Sequence, residues 1–236
     1  MNPSRFVWLG VLGLAAGVAA AADWSVQNSR LLARYDEPAR RLVLAERASG
    51  KAFATLEAFV PEGTAIRKAR FEWLRLFKDD ALIFTHPDGC RDIVMANLDP
   101  PFILLAKVLK NGDRASVTNR VSYPELALDL GVPLSSLNTL GTGGLLKPDK
   151  NPGSYMWTAV ADPATRRGVV AGWITTQRGS GIVRLGVTNE AVRLLPHVDY
   201  GRLLLKPGQE QGLETFAIGC FDDARLGLEA LSLIHI

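Results

Sequence analysis

The feature that most constrains this fold is the short interval at which the chain turns. Apolar runs of strand length recur every 8 to 15 residues, and Gly, Pro, Asn and Asp residues separate them. In βαβ units a helix separates successive strands, so the strands lie further apart in the sequence. Antiparallel strands joined by short turns produce the spacing seen here. The pattern predicts an all-β fold, an antiparallel sandwich or barrel, followed by a short C-terminal helix.

The apolar runs cover both halves of the chain. They are 31–35, 42–45, 71–77, 81–86, 91–98, 102–112, 117–123, 125–131, 155–162, 168–176, 181–189, 191–198, 201–208 and 212–221, with a Gly-rich loop at 140–154. One of them, FILLAKVLKNG at 102–112, fits a short helix or a strand that ends in an Asn-Gly hairpin turn.

The N-terminus has the layout of a secretory signal. Arg5 precedes an apolar run from Phe6 to Val18, and Ala20 and Ala22 form an A-x-A cleavage site before Asp23. The alternative is a retained anchor, but the run is shorter than the ~20 apolar residues that a membrane span needs. We expect residues 1–22 to be a cleaved signal peptide and the mature protein to be periplasmic or extracellular, with no other membrane contact.

The charge distribution excludes nucleic-acid binding. Without Arg5 the formal net charge falls from +3 to +2, and the basic residues are dispersed, as in RKAR at 67–70. A nucleic-acid surface requires a basic patch or stripe, which this chain lacks.

Two cysteines, Cys90 and Cys220, lie far apart in the sequence. In an oxidising compartment they could form a disulfide, but spacing alone does not establish proximity. Two separate thiols are the other interpretation.

The chain contains no motif that nominates a catalytic, metal or cofactor site. GTGG at 141–144 and GSGIVRLG at 179–186 do not link a strand to a helix, as a phosphate-binding loop must. Two H-x-D motifs, at 86–88 and 197–199, could place two ligands on one strand face. The first lies in a turn, so structural histidines are the favoured interpretation.

Four aromatic residues are candidates for stacking on sugar rings. They are Tyr155 and Trp157, which we single out as carbohydrate contacts, together with Trp173 and Tyr200. Each lies in an apolar run, so packing in the core is the alternative role.

The second half of the chain resembles a known family. The segments are LGTGGLL, NPGSYMW, ADPATRRGVVAGW, DYGRL and ETFAIGCFDDARLGLEA, within residues 115–230. They resemble the N-terminal β-sandwich of secreted α-galactosidase-like glycoside hydrolases, the melibiase and raffinose-synthase group. Residues 23–114 match only in strand pattern and in the first segment of the domain, WSVQNSRLLARYD. The resemblance implies the sandwich, an antiparallel β-sandwich (supersandwich) over residues 23–220 with a short C-terminal linking helix.

The resemblance implies a longer protein. In the family the helix begun at 221–230, with Asp222 as its N-cap, links to a (β/α)8 barrel that carries the two catalytic Asp residues of a retaining mechanism. The chain therefore resembles an accessory domain that acts with carbohydrate and this barrel, needs no cofactor and hydrolyses nothing alone. A free-standing carbohydrate-binding or adhesive module is the alternative, and an oligomer stays open.

The last six residues, LSLIHI at 231–236, depart from the family pattern. They are also the in-frame translation of CTGTCTCTTATACACATC, a common sequencing-library transposon end. We expect this tail to be adapter-encoded, with no structural role for Leu231, Ile234 or His235; a divergent native terminus is the alternative. Since the helix would have little to pack on, we also expect removal of 222–236 to leave stability almost unchanged.

Overall fold

The computed structural model describes residues 23–73, 77–97 and 100–234. Within these ranges the chain forms two antiparallel sheets and one α-helix. The predicted signal segment and its cleavage residues, Ala20 and Ala22, lie outside the described residues, as do 235 and 236. None of the helices in the described ranges is long and apolar enough to cross a membrane.

The first sheet, sheet A, has nine strands in the order β1-β2-β3-β4-β10-β17-β16-β13, and β9 also pairs with β17. The strands are β1 (Ser25–Gln27), β2 (Leu31–Asp36), β3 (Arg41–Glu46), β4 (Ala52–Leu56), β9 (Ser116–Ser122), β10 (Leu126–Leu128), β13 (Gly153–Tyr155), β16 (Ser180–Thr188) and β17 (Ala191–Leu205).

The second sheet, sheet B, has ten strands in the order β12-β11-β14-β15-β19-β8-β7-β6-β5, and β18 also pairs with β8. The strands are β5 (Ala65–Trp73), β6 (Phe77–Thr85), β7 (Arg91–Ala96), β8 (Ile103–Lys110), β11 (Asn138–Gly141), β12 (Gly144–Leu146), β14 (Trp157–Ala161), β15 (Gly168–Trp173), β18 (Glu210–Gly212) and β19 (Phe216–Phe221).

The predicted sandwich is confirmed, with three local corrections. The run 71–77 is divided between the ends of β5 and β6. The loop predicted at 140–154 contains part of the β11–β12 hairpin, a 3-10 helix at Pro148–Lys150 and the start of β13. The two runs at 191–198 and 201–208 are largely one strand, β17, which a register shift between Asp199 and Leu203 interrupts. The ambiguous run at 102–112 forms strand β8.

The main core lies between the sheets and is centred on Trp173 of β15. Its ring is fully buried and makes edge contacts with the rings of Tyr123 and Phe216. Its indole Nε1–H reaches across to sheet A and donates to the carbonyl of Ile182 at 3.3 Å. The ring lies against Gly181, where an added Cβ would be 2.3 Å from Trp173 Cγ. Trp173 therefore joins the two sheets and is a core residue, not a sugar platform.

Helix α1 (Ala224–Ile234) packs on the outer face of sheet B and forms a second core with it. Its N-cap is Asp223, which accepts a hydrogen bond from the Arg225 backbone N–H at 3.0 Å. The prediction of Asp222 as the cap was one residue early; Asp222 instead pairs with Arg30 at 3.0 Å. Hydrogen bonds from Arg225 hold the pKa of Asp223 well below its ordinary value.

The helix contradicts the expectation that residues 231–234 have no structural role. The helix runs through Ile234, and Leu231 is 3% exposed. Gly172 of β15 admits the Leu231 side chain, since a Cβ there would be 2.9 Å from Leu231 Cδ2. Stripes of apolar residues at helical spacing are stabilised by such packing, so the helix is an integral part of the domain.

Replacing Gly181 tests the contact between the sheets. We expect Gly181→Ala to lower the free energy of unfolding by about 1–3 kcal/mol, because the methyl group overlaps the Trp173 ring. Gly186→Ala, on the same strand, is the matched control: its Cβ meets only Leu195 Cδ1 at 3.9 Å. Urea unfolding of both variants measures the difference, and equal stabilities would contradict the contact.

Replacing Leu231 tests whether the helix belongs to the core. We expect Leu231→Ala to lower the free energy of unfolding by about 2–5 kcal/mol, as for other buried leucines. Leu226→Ala on the same helix is the control, since Leu226 is 60% exposed and surface changes stay within about 0.5 kcal/mol. Thermal unfolding of the two variants is the measurement. A Leu231 variant as stable as the control would restore the idea of a tail without a structural role.

Candidate functional site

The outer face of sheet A carries a row of polar and aromatic side chains. On β16, Gly181 and Val183 point into the core, so Ile182 and Arg184 point outward, as alternation requires. The register places Tyr155 opposite Ile182, and Ile182 opposite His197 of β17. We call this set of outward residues on β13, β16, β17 and β9 the outer face; it includes Tyr155, Ile182, Arg184, Arg193, Leu195, His197, Asp199 and Arg120.

Tyr155 is presented by a change of sheet. The next residue, Met156, has φ 65° and hydrogen-bonds both sheets: its N–H donates to Gly181 and its carbonyl accepts from the Trp173 N–H. The chain thus ends β13 in sheet A and begins β14 in sheet B. Tyr155 remains on the outer face, 62% exposed. Trp157, the other predicted sugar contact, is only partly buried and packs against the second core beneath helix α1, beside Leu228 and Leu231.

The turn between β11 and β12 holds the backbone of β13 in place. Thr142 Oγ1 accepts a hydrogen bond from the Tyr155 N–H at 3.1 Å. The Thr142 N–H in turn donates to the buried Ser154 hydroxyl at 2.9 Å. The segment GTGG is therefore a hairpin turn that supports Tyr155, and not a phosphate loop.

A depression of about 600 Å³ opens beside the Tyr155 ring. This volume is within the range of small-molecule sites, about 300–1,000 Å³. Its wall combines the exposed ring, an arginine and hydroxyl groups; the lining residues are Thr142, Gly143, Pro152, Gly153, Ser154, Tyr155, Ile182 and Arg184. A second depression of about 370 Å³ lies on the other side of Tyr155, along Thr176 and Ser180. The ring therefore stands between two open surfaces.

Beyond the depression, an ion pair between Arg120 and Asp199 determines the charge of this part of the outer face. Arg120 of β9 donates to both carboxylate oxygens of Asp199, at 2.5 and 3.0 Å. The hydrogen bonds from Arg120 lower the pKa of Asp199. His197 is buried between its neighbours, and burial together with the Arg120 charge lowers its pKa, so the imidazole is neutral near pH 7. Among the described residues, the Nε2 atom of His197 has no hydrogen-bond partner.

The other histidine motif has a structural role. His86 Nε2 lies 2.9 Å from Asp92 Oδ2, and Lys107 Nζ lies 2.5 Å from Asp92 Oδ1. Burial tends to raise the pKa of Asp92, but the hydrogen bond from His86 and the Lys107 charge bring it below its ordinary value. Asp88 only accepts from the Cys90 N–H in the turn. No cluster of three or more His, Cys, Asp or Glu residues suited to a metal occurs in the described part of the chain.

The two cysteines are free thiols with different neighbours. Cys90 contacts Lys110 at one end of β8, whereas Cys220 follows Ile218, which pairs with Ile103 at the other end. The length of β8 separates these ends by more than about 20 Å at ~3.3 Å per residue. A disulfide requires Cα atoms within about 7 Å, so the pairing of Cys90 with Cys220 was the wrong alternative.

The sequence analysis nominated Tyr155, which the structure places on the outer face, but it missed most of the other residues there. Alternation along VRLLPHVDY predicts that His197 and Asp199 share a face, and this signal was present in the second H-x-D motif. No such signal was available for Arg120, because its pairing depends on the register of β9 against β17, strands that are distant in sequence.

Comparisons with known proteins show the fold. No protein-family model matches this chain, and no curated protein matches it in sequence. Among solved structures, it is similar to the α-N-acetylgalactosaminidase NagBb from Bifidobacterium bifidum in its Gal-NHAc-DNJ complex, with a TM-score of 0.56 at 10% identity. The ligand-free form gives 0.55 at 11%. Both alignments cover 84% of this chain and 36% of the hydrolase, so the chain spans about a third of that enzyme.

A second similar structure is a galactose mutarotase related enzyme from Lactobacillus acidophilus. Its TM-score is 0.56 at 11% identity, and the alignment covers 85% of this chain and 97% of that one. At such identities the likeness establishes the sandwich fold, which this chain shares with proteins of carbohydrate metabolism. The finer resemblance to the melibiase and raffinose-synthase group stays a prediction.

Proposed function

We propose that this chain is the accessory N-terminal sandwich of an exported α-galactosidase-like glycoside hydrolase, and that it contacts carbohydrate through the outer face of sheet A. The observation that carries the carbohydrate contact is the exposed Tyr155 ring between two depressions. An aromatic ring with its face free can stack on the apolar face of a pyranose, while nearby hydroxyl and guanidinium groups bind the sugar hydroxyls. The catalytic carboxylates belong to the barrel that follows in this proposal.

The surface around helix α1 supports an accessory role. A small apolar groove of about 190 Å³ runs between the helix and sheet B, along Leu140, Leu145 and Leu228. Leu145, in the wall of this groove, is 66% exposed, and Leu226 and Leu233 are exposed on the solvent side of the helix. Contacts between domains of one chain typically bury about 600–1,500 Å², and exposed apolar side chains concentrated at one place are typical of such contacts.

The alternative is a free-standing secreted carbohydrate-binding module. The Lactobacillus structure favours this alternative. The alignment covers 97% of that chain, so the sandwich makes up nearly all of it. The reading frame downstream of the codon for Ala230 in genomic DNA discriminates between the two. A frame that encodes a (β/α)8 barrel supports the accessory domain, and a stop codon supports the module.

Carbohydrate binding is tested by changing the ring of Tyr155. We expect Tyr155→Ala to weaken binding of galactose-containing oligosaccharides by at least about tenfold, since stacking and aromatic burial contribute on the order of 1–3 kcal/mol. Tyr155→Phe keeps the ring and should retain most of the affinity. Titration calorimetry with a neutral α-galactoside such as raffinose is the measurement.

Leu145→Ala is the matched control for this experiment. Leu145 is exposed to a similar extent, but it lies on sheet B, away from the proposed surface. It should therefore leave affinity unchanged. Binding that is equally strong in the wild-type chain and Tyr155→Ala, or absent in both, would refute the proposed carbohydrate contact.

A further inference from the structure

Arg184 is the charged group of the depression; its charge contributes to lowering the pKa of Asp199, but it makes no direct contact with that carboxylate among the described residues. No ion pair or hydrogen bond of its guanidinium is formed within the described part of the chain, and its side chain is exposed. The neighbouring arginines on this face are paired. Arg120 Nε lies 2.5 Å from Asp199 Oδ1, and Arg193 Nη1 lies 3.5 Å from Glu125 Oε1. The positive charge of Arg184 is therefore the one in this row that is available to a ligand.

The position of Arg184 relative to Tyr155 matches the size of one sugar unit. Arg184 pairs with Gly153, and Tyr155 pairs with Ile182, so Arg184 and Tyr155 are diagonal neighbours on one face. Diagonal neighbours in antiparallel strands are about 7–8 Å apart, within reach of long side chains. Both residues line the same depression. A pyranose stacked on Tyr155 can therefore place a substituent of its ring against the guanidinium.

The wall of the depression contains no acidic side chain. The other polar side chain in its wall is Thr142, since the Ser154 hydroxyl is buried against the β11–β12 turn, and Asp199 is already bound on both oxygens by Arg120. A planar guanidinium that is free of carboxylates binds a planar carboxylate through two parallel hydrogen bonds. A neutral sugar would leave this charge uncompensated.

We propose that the depression binds a sugar unit that carries a carboxylate, a hexuronic acid, with Tyr155 stacked on the ring and Arg184 bound to the carboxylate. This inference rests on the proposed carbohydrate contact and names the class of sugar that occupies it. The remaining wall consists of uncharged residues, including Thr142 and Pro152. The site thus selects an acidic glycan over a neutral one of the same size.

The test compares two trisaccharides, tri-galacturonic acid and neutral galactotriose, by titration calorimetry at pH 7 and low salt. We expect the acidic trisaccharide to bind about tenfold more tightly, since one charge-assisted bidentate contact is worth about that factor. Arg184→Gln should abolish the preference, because the acidic trisaccharide loses its charge-assisted contact and then binds no more tightly than galactotriose. Arg184→Lys should keep part of it, because the charge remains without the planar fork. Added NaCl should reduce the preference, since the pair is exposed.

Arg193→Gln is the matched control, because it removes an equal charge from the same face, where the arginine is already paired with Glu125. It should leave the preference intact, and thermal unfolding should show that all variants are folded. Equal affinity for both trisaccharides overturns the acidic specificity and leaves the carbohydrate contact standing. A preference that survives Arg184→Gln overturns the role of Arg184. Failure of both trisaccharides to bind overturns the inference together with the proposed function.

Discussion

The contact between Trp173 and Gly181 is the constraint on which the rest of the structure depends. Trp173 extends from sheet B across the core, and only a glycine on β16 leaves room for its ring. The indole N–H then bonds the next residue, Ile182, and fixes which residues of β16 face inward. Since side chains alternate along a strand, Ile182 and Arg184 must face solvent. A slip of one residue would bury Arg184 and remove the outer face.

A second set of bonds joins the sheets near the same place. Tyr123 follows β9, and its hydroxyl donates to the backbone carbonyl of Glu214. The hydroxyl of Tyr200, on β17, donates to the Glu214 carboxylate. Arg178 completes the set with its N–H at 3.0 Å from Glu214 Oε1. Burial raises the pKa of both tyrosines, so they remain hydrogen-bond donors. Tyr200 is therefore a structural residue rather than a sugar platform.

The two surfaces of the sandwich have different roles in this account. Helix α1 covers part of the outer face of sheet B, and the partly buried Trp157 packs there. The outer face of sheet A, in contrast, keeps its strands open around Tyr155. The change of sheet at Met156 sends these two aromatic residues, only two positions apart, to opposite sides of the molecule. A ligand and a neighbouring domain can therefore bind without competing for one surface.

Local patterns were sufficient to predict the fold but not the site. Turn residues between runs such as 31–35 and 42–45 specify antiparallel strands, and strands β2 and β3 follow them closely. Trp173 and Trp157 look alike in sequence, because each is an aromatic residue in an apolar run. Their different positions depend on Met156, whose backbone is left-handed, and on Gly181. No sequence pattern indicates either of these structural roles. The separation of Cys90 from Cys220 and the pairing of Arg120 with Asp199 likewise depend on register between distant strands.

Amide chemical shifts measured on the folded chain during addition of an oligosaccharide test the central claim most directly. If the outer face of sheet A is the binding surface, the largest changes will occur at the amides of residues 142–143, 153–155 and 182–184, and the amides of helix α1 will stay unchanged. Changes concentrated on helix α1 and β12, with none around Tyr155, would place the ligand on sheet B and contradict the account.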